Sequence, residues 1–137
     1  MPKFGKRSKK QLGTCNLELQ EVFNEVIKTV DCAVLEGNRS KARQNALYKE
    51  GKTKVKFPQG RHNAIPSRAV DVVPYPIDWS DRERFTLFAG FVLGTAKSMG
   101  INLRWGGDWN QDWQVNDNKF DDFPHYELRH WNKDWEK

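Results

Sequence analysis

A chain of 137 residues, 37% hydrophobic and 30% charged, has the size and balance of one globular domain with its own core, which excludes an intrinsically disordered chain. No apolar stretch reaches membrane-spanning length, because the longest apolar-rich segment, 85–99, is interrupted by Gly90, Gly94, Thr95, Lys97 and Ser98. The formal charge is +5 and five of the first ten residues are Lys or Arg, a tail suited to nucleic acid, an anionic membrane or an anionic polymer.

Residues 1–15 read as a basic arm leading into one domain, 16–137. No hydrophobic region follows the basic start, so no secretory signal is expected and the chain is expected to begin in a cytoplasm. Cys15 and Cys32 do not form a CxxC pair, and in that compartment they are expected to be free thiols. Leu19, Val22, Phe23, Val26, Ile27 and Val30 recur at helical spacing, which predicts an amphipathic helix over 17–30. A short strand follows at 32–35. After a turn at Gly37-Asn38, Ser40 can cap a helix running to Glu50 and ended by Gly51.

Residues 51–68 read as a long loop, and loops of that length inside a small domain are usually functional. A strand is predicted at 69–73. Ser80-Asp81-Arg82-Glu83 reads as a capping box that opens a long helix to Ser98, ended by Gly100. A strand at 101–105, a second long loop at 106–124 and a final strand at 125–129 complete the chain. Helices and short strands mix without regular βαβ alternation. The fold class expected is therefore α+β, with a small, mostly antiparallel sheet and flanking helices.

Two features carry chemistry. His62 lies in the first long loop, and Asp71 interrupts the apolar run Ala69-Val70-Asp71-Val72-Val73. A carboxylate in a buried strand is costly unless something pairs with it. Arg39, Arg61 and Arg68 are available as salt-bridge partners. A catalytic metal is the other reading, since such sites commonly take three protein ligands and leave one position open. His62 and Asp71 would be two ligands. A third would come from 120–128, where strand alternation sets His125, Glu127 and Arg129 on one face and Tyr126, Leu128 and His130 on the other. Tyr126 and Leu128 look core-facing, which leaves His125 on the open face and His130 as a surface residue.

Hydrolysis also needs a general base and a donor for the oxyanion. Asp122, three residues before His125, is placed for the first role; Pro124 disrupts regular pairing there, so Asp122 need not follow strand alternation. Asp121, its neighbour, is not separated from it by chemistry alone. Arg39 follows a strand and opens a helix, a position that often faces a site. The Trp105-Gly106-Gly107-Asp108-Trp109 loop reads equally as packing or as part of the site.

At these residues the chain resembles the zinc D-alanyl-D-alanine carboxypeptidase and L-alanyl-D-glutamate endopeptidase family, on the Hedgehog/DD-peptidase fold, and most of all its single-domain phage endolysins. The resemblance runs through Phe4-Gly5-Lys6-Arg7-Ser8, Glu36-Gly37-Asn38-Arg39-Ser40 with Arg43-Gln44-Asn45, Arg61-His62-Asn63, and Pro66 to Pro76. It continues through Leu103 to Trp109 and Asp122-Phe123-Pro124-His125-Tyr126-Glu127-Leu128. It implies zinc held by His62, Asp71 and His125, Asp122 as base, and Arg39 as the residue that binds or polarises the scissile carbonyl. The implied function is hydrolysis of the L-alanyl-D-glutamate bond of the peptidoglycan stem peptide, lysing the bacterial wall. D-Ala-D-Ala carboxypeptidase with the same zinc chemistry, or a non-catalytic zinc- or wall-binding module, are the alternatives.

The implied partner is the stem peptide, with no nucleic acid and no stable membrane insertion, for a monomer. A lysin of this kind would accumulate in the host cytoplasm without a signal peptide and act on the wall after membrane permeabilisation. Two departures stand out: the His-to-Asp spacing is longer than usual, so 63–68 must bulge outward, and Gly60 replaces a common Ser two residues before the histidine.

Overall fold

Apolar alternation on four short strands builds the sheet that carries the site. The computed structural model describes residues 2–115 and 121–129. In chain order the elements are α1 (Lys6–Leu12), α2 (Leu17–Val26), β1 (Cys32–Glu36), α3 (Lys41–Lys49), a 3-10 turn (Arg61–Asn63), β2 (Ala69–Pro74), α4 (Arg82–Ser98), β3 (Leu103–Gly106) and β4 (Asp122–Leu128). The strands form an antiparallel sheet in the order β1-β2-β4-β3. The α+β expectation is met.

One face of the sheet presents Val34, Val70, Val72, Leu103, Trp105, Tyr126 and Leu128 to a core completed by Leu19, Val22, Phe23 and Val26 of α2 and Phe88, Ala89, Val92 and Ala96 of α4. Phe23 and Phe88 meet the ring of Tyr126 edge-on, at 5.5 and 6.4 Å. Burial of this apolar surface is the main force holding the helices to the sheet. The opposite face is polar. Asp71 of β2 stands between Glu36 of β1 and His125 of β4, and Glu127 of β4 stands between Ala69 of β2 and Arg104 of β3. Directly opposed residues share a face, so this register gathers the charged side chains of four strands.

Several boundaries move for physical reasons. Helix α2 ends at Val26, short of the predicted 30, because the amides of Lys28 and Thr29 reach back only three residues, to Glu25 and Val26. The N-cap of α4 is Asp81, which accepts from the Arg84 amide, while Ser80 turns away to donate to Asp78. The loop at 51–68 contains the 3-10 turn that bears His62. Strand β4 starts at Asp122, earlier than predicted. Trp105 and Gly106 are adjacent on β3 but oppose Tyr126 and Asp122, so Phe123, Pro124 and His125 form a bulge in β4. His130 lies outside the described residues.

The segment read as an arm is instead built into the fold. Its helix α1 buries Ser8 and Leu12, with Phe4 beside them, and covers β1 at the sheet edge. Ser8 Oγ accepts from the Val34 amide at 3.0 Å and Gln11 Oε1 from the Gly37 amide at 3.2 Å. The basic residues Lys3, Lys6, Arg7, Lys9 and Lys10 remain exposed on its outside. Cys15 and Cys32 are free, buried thiols.

Candidate active site

His62, Asp71 and His125 converge from three different elements. His62 Nε2 lies 3.3 Å from Asp71 Oδ1 and 3.3 Å from His125 Nδ1, and His125 Nδ1 lies 3.5 Å from Asp71 Oδ1. Both rings are oriented from behind. His62 Nδ1 donates to the Gly37 carbonyl at 2.8 Å, and His125 Nε2 donates to Glu127 Oε1 at 2.8 Å. Those bonds turn the remaining nitrogen of each imidazole toward Asp71. Asp71 Oδ1 is buried and has no hydrogen-bond partner among the described residues.

This donor set fits a metal ion. Tetrahedral coordination with bonds of about 2.0 to 2.1 Å puts donor atoms roughly 3.3 to 3.4 Å apart, close to the spacing found. Two nitrogens and one carboxylate oxygen are a ligand set that leaves a position open for water or substrate.

The electrostatics fit a cation at the same point. Burial alone would raise the Asp71 carboxyl, but His62 and His125 outweigh it and hold Asp71 well below the usual carboxylate range. Burial alone would lower His125, but the Asp71 and Glu127 carboxylates beside its ring push it up to about 10.

The other sequence-singled residues divide. Asp122 Oδ2 lies 3.9 Å from His125 Nδ1, on the rim of the same cleft, and burial raises its carboxyl above the ordinary value. Asp121 turns away and pairs with Arg82 at 3.0 Å. The bulge is what turns Asp122, three residues before His125, to the side of the sheet that bears His125. Arg39 joins the site: its guanidinium is held by Glu36 Oε1 at 2.9 Å and by Gln44 Oε1 at 3.1 Å, and it reaches Asp71 Oδ2 at 3.5 Å. Asp71 thus has both partners raised by the sequence, an arginine on one oxygen and the histidines on the other. The Gly-Trp loop splits: Trp105 is core and donates to the Phe123 carbonyl, whereas Trp109 lies against His125 at 5.4 Å.

All these side chains except Asp121 and Trp105 line one cleft of about 470 Å³. Residues 1–129 match the phage L-alanyl-D-glutamate peptidase family. The chain belongs to that family. The L-alanyl-D-glutamate peptidase of Escherichia phage T5 is 34% identical over 120 residues, covering 84% of this chain and 87% of that protein. The crystal structure of Serratia marcescens L-Ala D-Glu endopeptidase ChiX matches with a TM-score of 0.75 and 27% identity, over 98% of this chain and 95% of the other. Of the two bonds the sequence raised, the family and both relatives carry the L-alanyl-D-glutamate one in their names.

Both departures of this peptidase have a local cause. The extra residues between His62 and Asp71 swing outward at Ile65, which is 89% exposed, while Asn63 and Ser67 stay buried. A Cβ on Gly60 would lie 2.6 Å from Asn63 Oδ1, the atom that accepts from the Gly60 amide, so a serine there would disturb the turn bearing His62.

Three residues of the site had been assigned no role from the sequence. Glu36 holds Arg39, and Glu127 holds His125. Gln44 is 1% exposed and joins Arg39, Asn63 and the Val55 carbonyl. Strand alternation already set Glu127 beside His125. Gln44 precedes the buried Leu47 by one helical turn, which is the signal that could have found it.

Proposed function

We propose that this peptidase cleaves the L-alanyl-D-glutamate bond of the peptidoglycan stem peptide with one zinc ion held by His62, Asp71 and His125. The observation that carries the reading is the triangle of converging ligand atoms from His62, Asp71 and His125, with the buried Asp71 Oδ1 unpartnered among the described residues and the Asp122 carboxylate beside it. Bound there, zinc would supply Lewis acidity and a water whose pKa is lowered to about 7. Asp122 takes the proton of the attacking water and passes it to the leaving amine. Arg39 faces the cleft with its charge fixed by Glu36 and Gln44, and offsets charge on the tetrahedral oxygen. Trp109 and the rim of the 51–60 loop wall the cleft on the substrate side.

The protein acts as a monomer, and its catalytic domain takes in the N-terminal helix α1. No helix among the described residues is long and apolar enough to cross a membrane. Accumulation in the host cytoplasm, with access to the wall after a separate membrane lesion, accords with the phage relative. The exposed cations of α1 contact anionic wall or membrane polymers. Neutralising Lys3, Lys6, Lys9 and Lys10 to Gln tests this without removing the buried Phe4, Ser8 and Leu12; unchanged salt dependence of lysis overturns it.

Zinc content and muropeptide cleavage, measured on one preparation of wild type beside His125→Ala, test the whole reading. One zinc per chain, with zinc and cleavage both lost in the variant, supports it. Zinc without cleavage returns the protein to a binding module. Release of single D-Ala with the L-Ala–D-Glu bond intact overturns the assigned bond.

A further inference from the structure

Behind His125 lies an ion cluster that direct catalysis does not require. Glu127 is buried, its side chain 4% exposed. Its Oε2 is held by two guanidinium groups, Arg61 Nε at 2.6 Å and Arg104 Nη2 at 2.7 Å. Its Oε1 is thereby left for His125 Nε2. Burying a carboxylate with its counterions is a poor way to gain stability, since well-packed apolar residues commonly do as well or better. The arrangement of the cluster suggests another purpose. Arg61 immediately precedes His62, and Glu127 lies two residues after His125 on the same face of β4. The Arg61–Glu127 pair therefore ties together the two segments that bear the histidines, from outside the metal triangle. Arg104, opposite Glu127 in the β3–β4 register, blocks the remaining freedom of the carboxylate and lies over the Trp109 ring at 5.2 Å. Trp109 in turn packs on His125.

We propose that Glu127, clamped by Arg61 and Arg104, is a positioning residue that sets the orientation of the His125 ring and its spacing from His62 before metal binds. This rests on the metal site proposed above. A carboxylate fixed on both oxygens cannot rotate, so the His125 ring keeps Nδ1 toward Asp71. A glutamine at 127 would have to turn either its amide N–H groups toward the arginines or its carbonyl away from His125, and one side of the clamp opens.

The test is zinc affinity by chelator competition on folded wild type, Glu127→Gln and Arg104→Gln, with ring N–H proton resonances recorded on the zinc-loaded proteins. Glu127→Gln is expected to lose about 10- to 100-fold in zinc affinity. Its His125 ring N–H signal should shift or vanish while that of His62, donated to Gly37, stays in place. Arg104→Gln leaves the Arg61 arm of the clamp and should lose about threefold or more, with the same resonance moving less; it carries the test if Glu127→Gln does not fold. Folded variants that bind zinc as wild type does, with the His125 resonance unmoved, overturn the clamp alone. A folded wild type that binds no zinc overturns the metal site and the clamp with it.

Discussion

Gly106 sits opposite Asp122 across the β3–β4 pair, and its missing side chain is what lets Asp122 come so close. A Cβ at Gly106 would run into the Asp122 carbonyl and stand 3.0 Å from its Cβ. The glycine is thus a spacer for the proposed base, at the point where β4 bulges. Gly106→Ala should push Asp122 off the cleft while leaving His62, Asp71 and His125 untouched. The expected result is retained zinc with cleavage reduced by about 100-fold, the scale of a misplacement near 1 Å. Zinc content and muropeptide cleavage on one sample check this, and full activity would contradict it.

Asp121 and Asp122 are neighbours with different surroundings, and substitution should separate them. Asp122→Ala should keep zinc and lose cleavage by about 100- to 10,000-fold, the range for a general base. Asp121→Ala breaks only a pair with the exposed Arg82, worth at most about 1 kcal/mol, and should stay near wild type in activity. A dead Asp121→Ala beside an active Asp122→Ala would reverse the assignment.

Burial pushes the thiols of Cys15 and Cys32 up to about 12, against an ordinary value of 9.0. The folded state therefore keeps them protonated where the unfolded chain would ionise. Their contribution is whole below pH 9 and is lost as pH rises from there toward 12. At pH 10 each thiol should have cost on the order of 1 kcal/mol of stability relative to pH 8. Urea melts at the two pH values, on wild type and on Cys15→Ala/Cys32→Ala, should show a shallower alkaline loss in the variant. Equal losses would mean that the thiols do not govern this limb.

Tyr126 is fully buried between Phe23 and Phe88, and its hydroxyl has no hydrogen-bond partner among the described residues. An unsatisfied buried hydroxyl costs about 1 to 3 kcal/mol, and removing it keeps the ring contacts. Tyr126→Phe should leave stability unchanged or raise it by about 1 kcal/mol, read from urea unfolding. A clear loss of stability would reveal a partner for the hydroxyl.

The chain's periodicities carried much of this protein. The apolar spacing of 19–26 made α2, the alternation around Tyr126 and Leu128 set His125 on the open face of β4, and Ser40 and Gly51 marked the two ends of α3. Those signals are local, because they depend on residues a few positions apart. His62, Asp71, His125, Asp122 and Arg39 were legible as candidates because few residue types supply such chemistry and their motifs stand in a familiar order. Local patterns stop where long-range pairing begins. The β2–β4 register alone brings Asp71 opposite His125, and the bulge opposite Gly106 turns Asp122, three residues before His125, to the same side of the sheet. Helix α1 was hidden within a run of charges because its buried residues, Ser8 and Leu12, meet partners that lie later in the chain, the Val34 amide of β1 among them. Glu127 and Gln44 look like ordinary polar residues in the sequence. Their roles arise from partners far along the chain, through hydrogen bonds that exist only once the sheet and the 51–68 loop have closed around them.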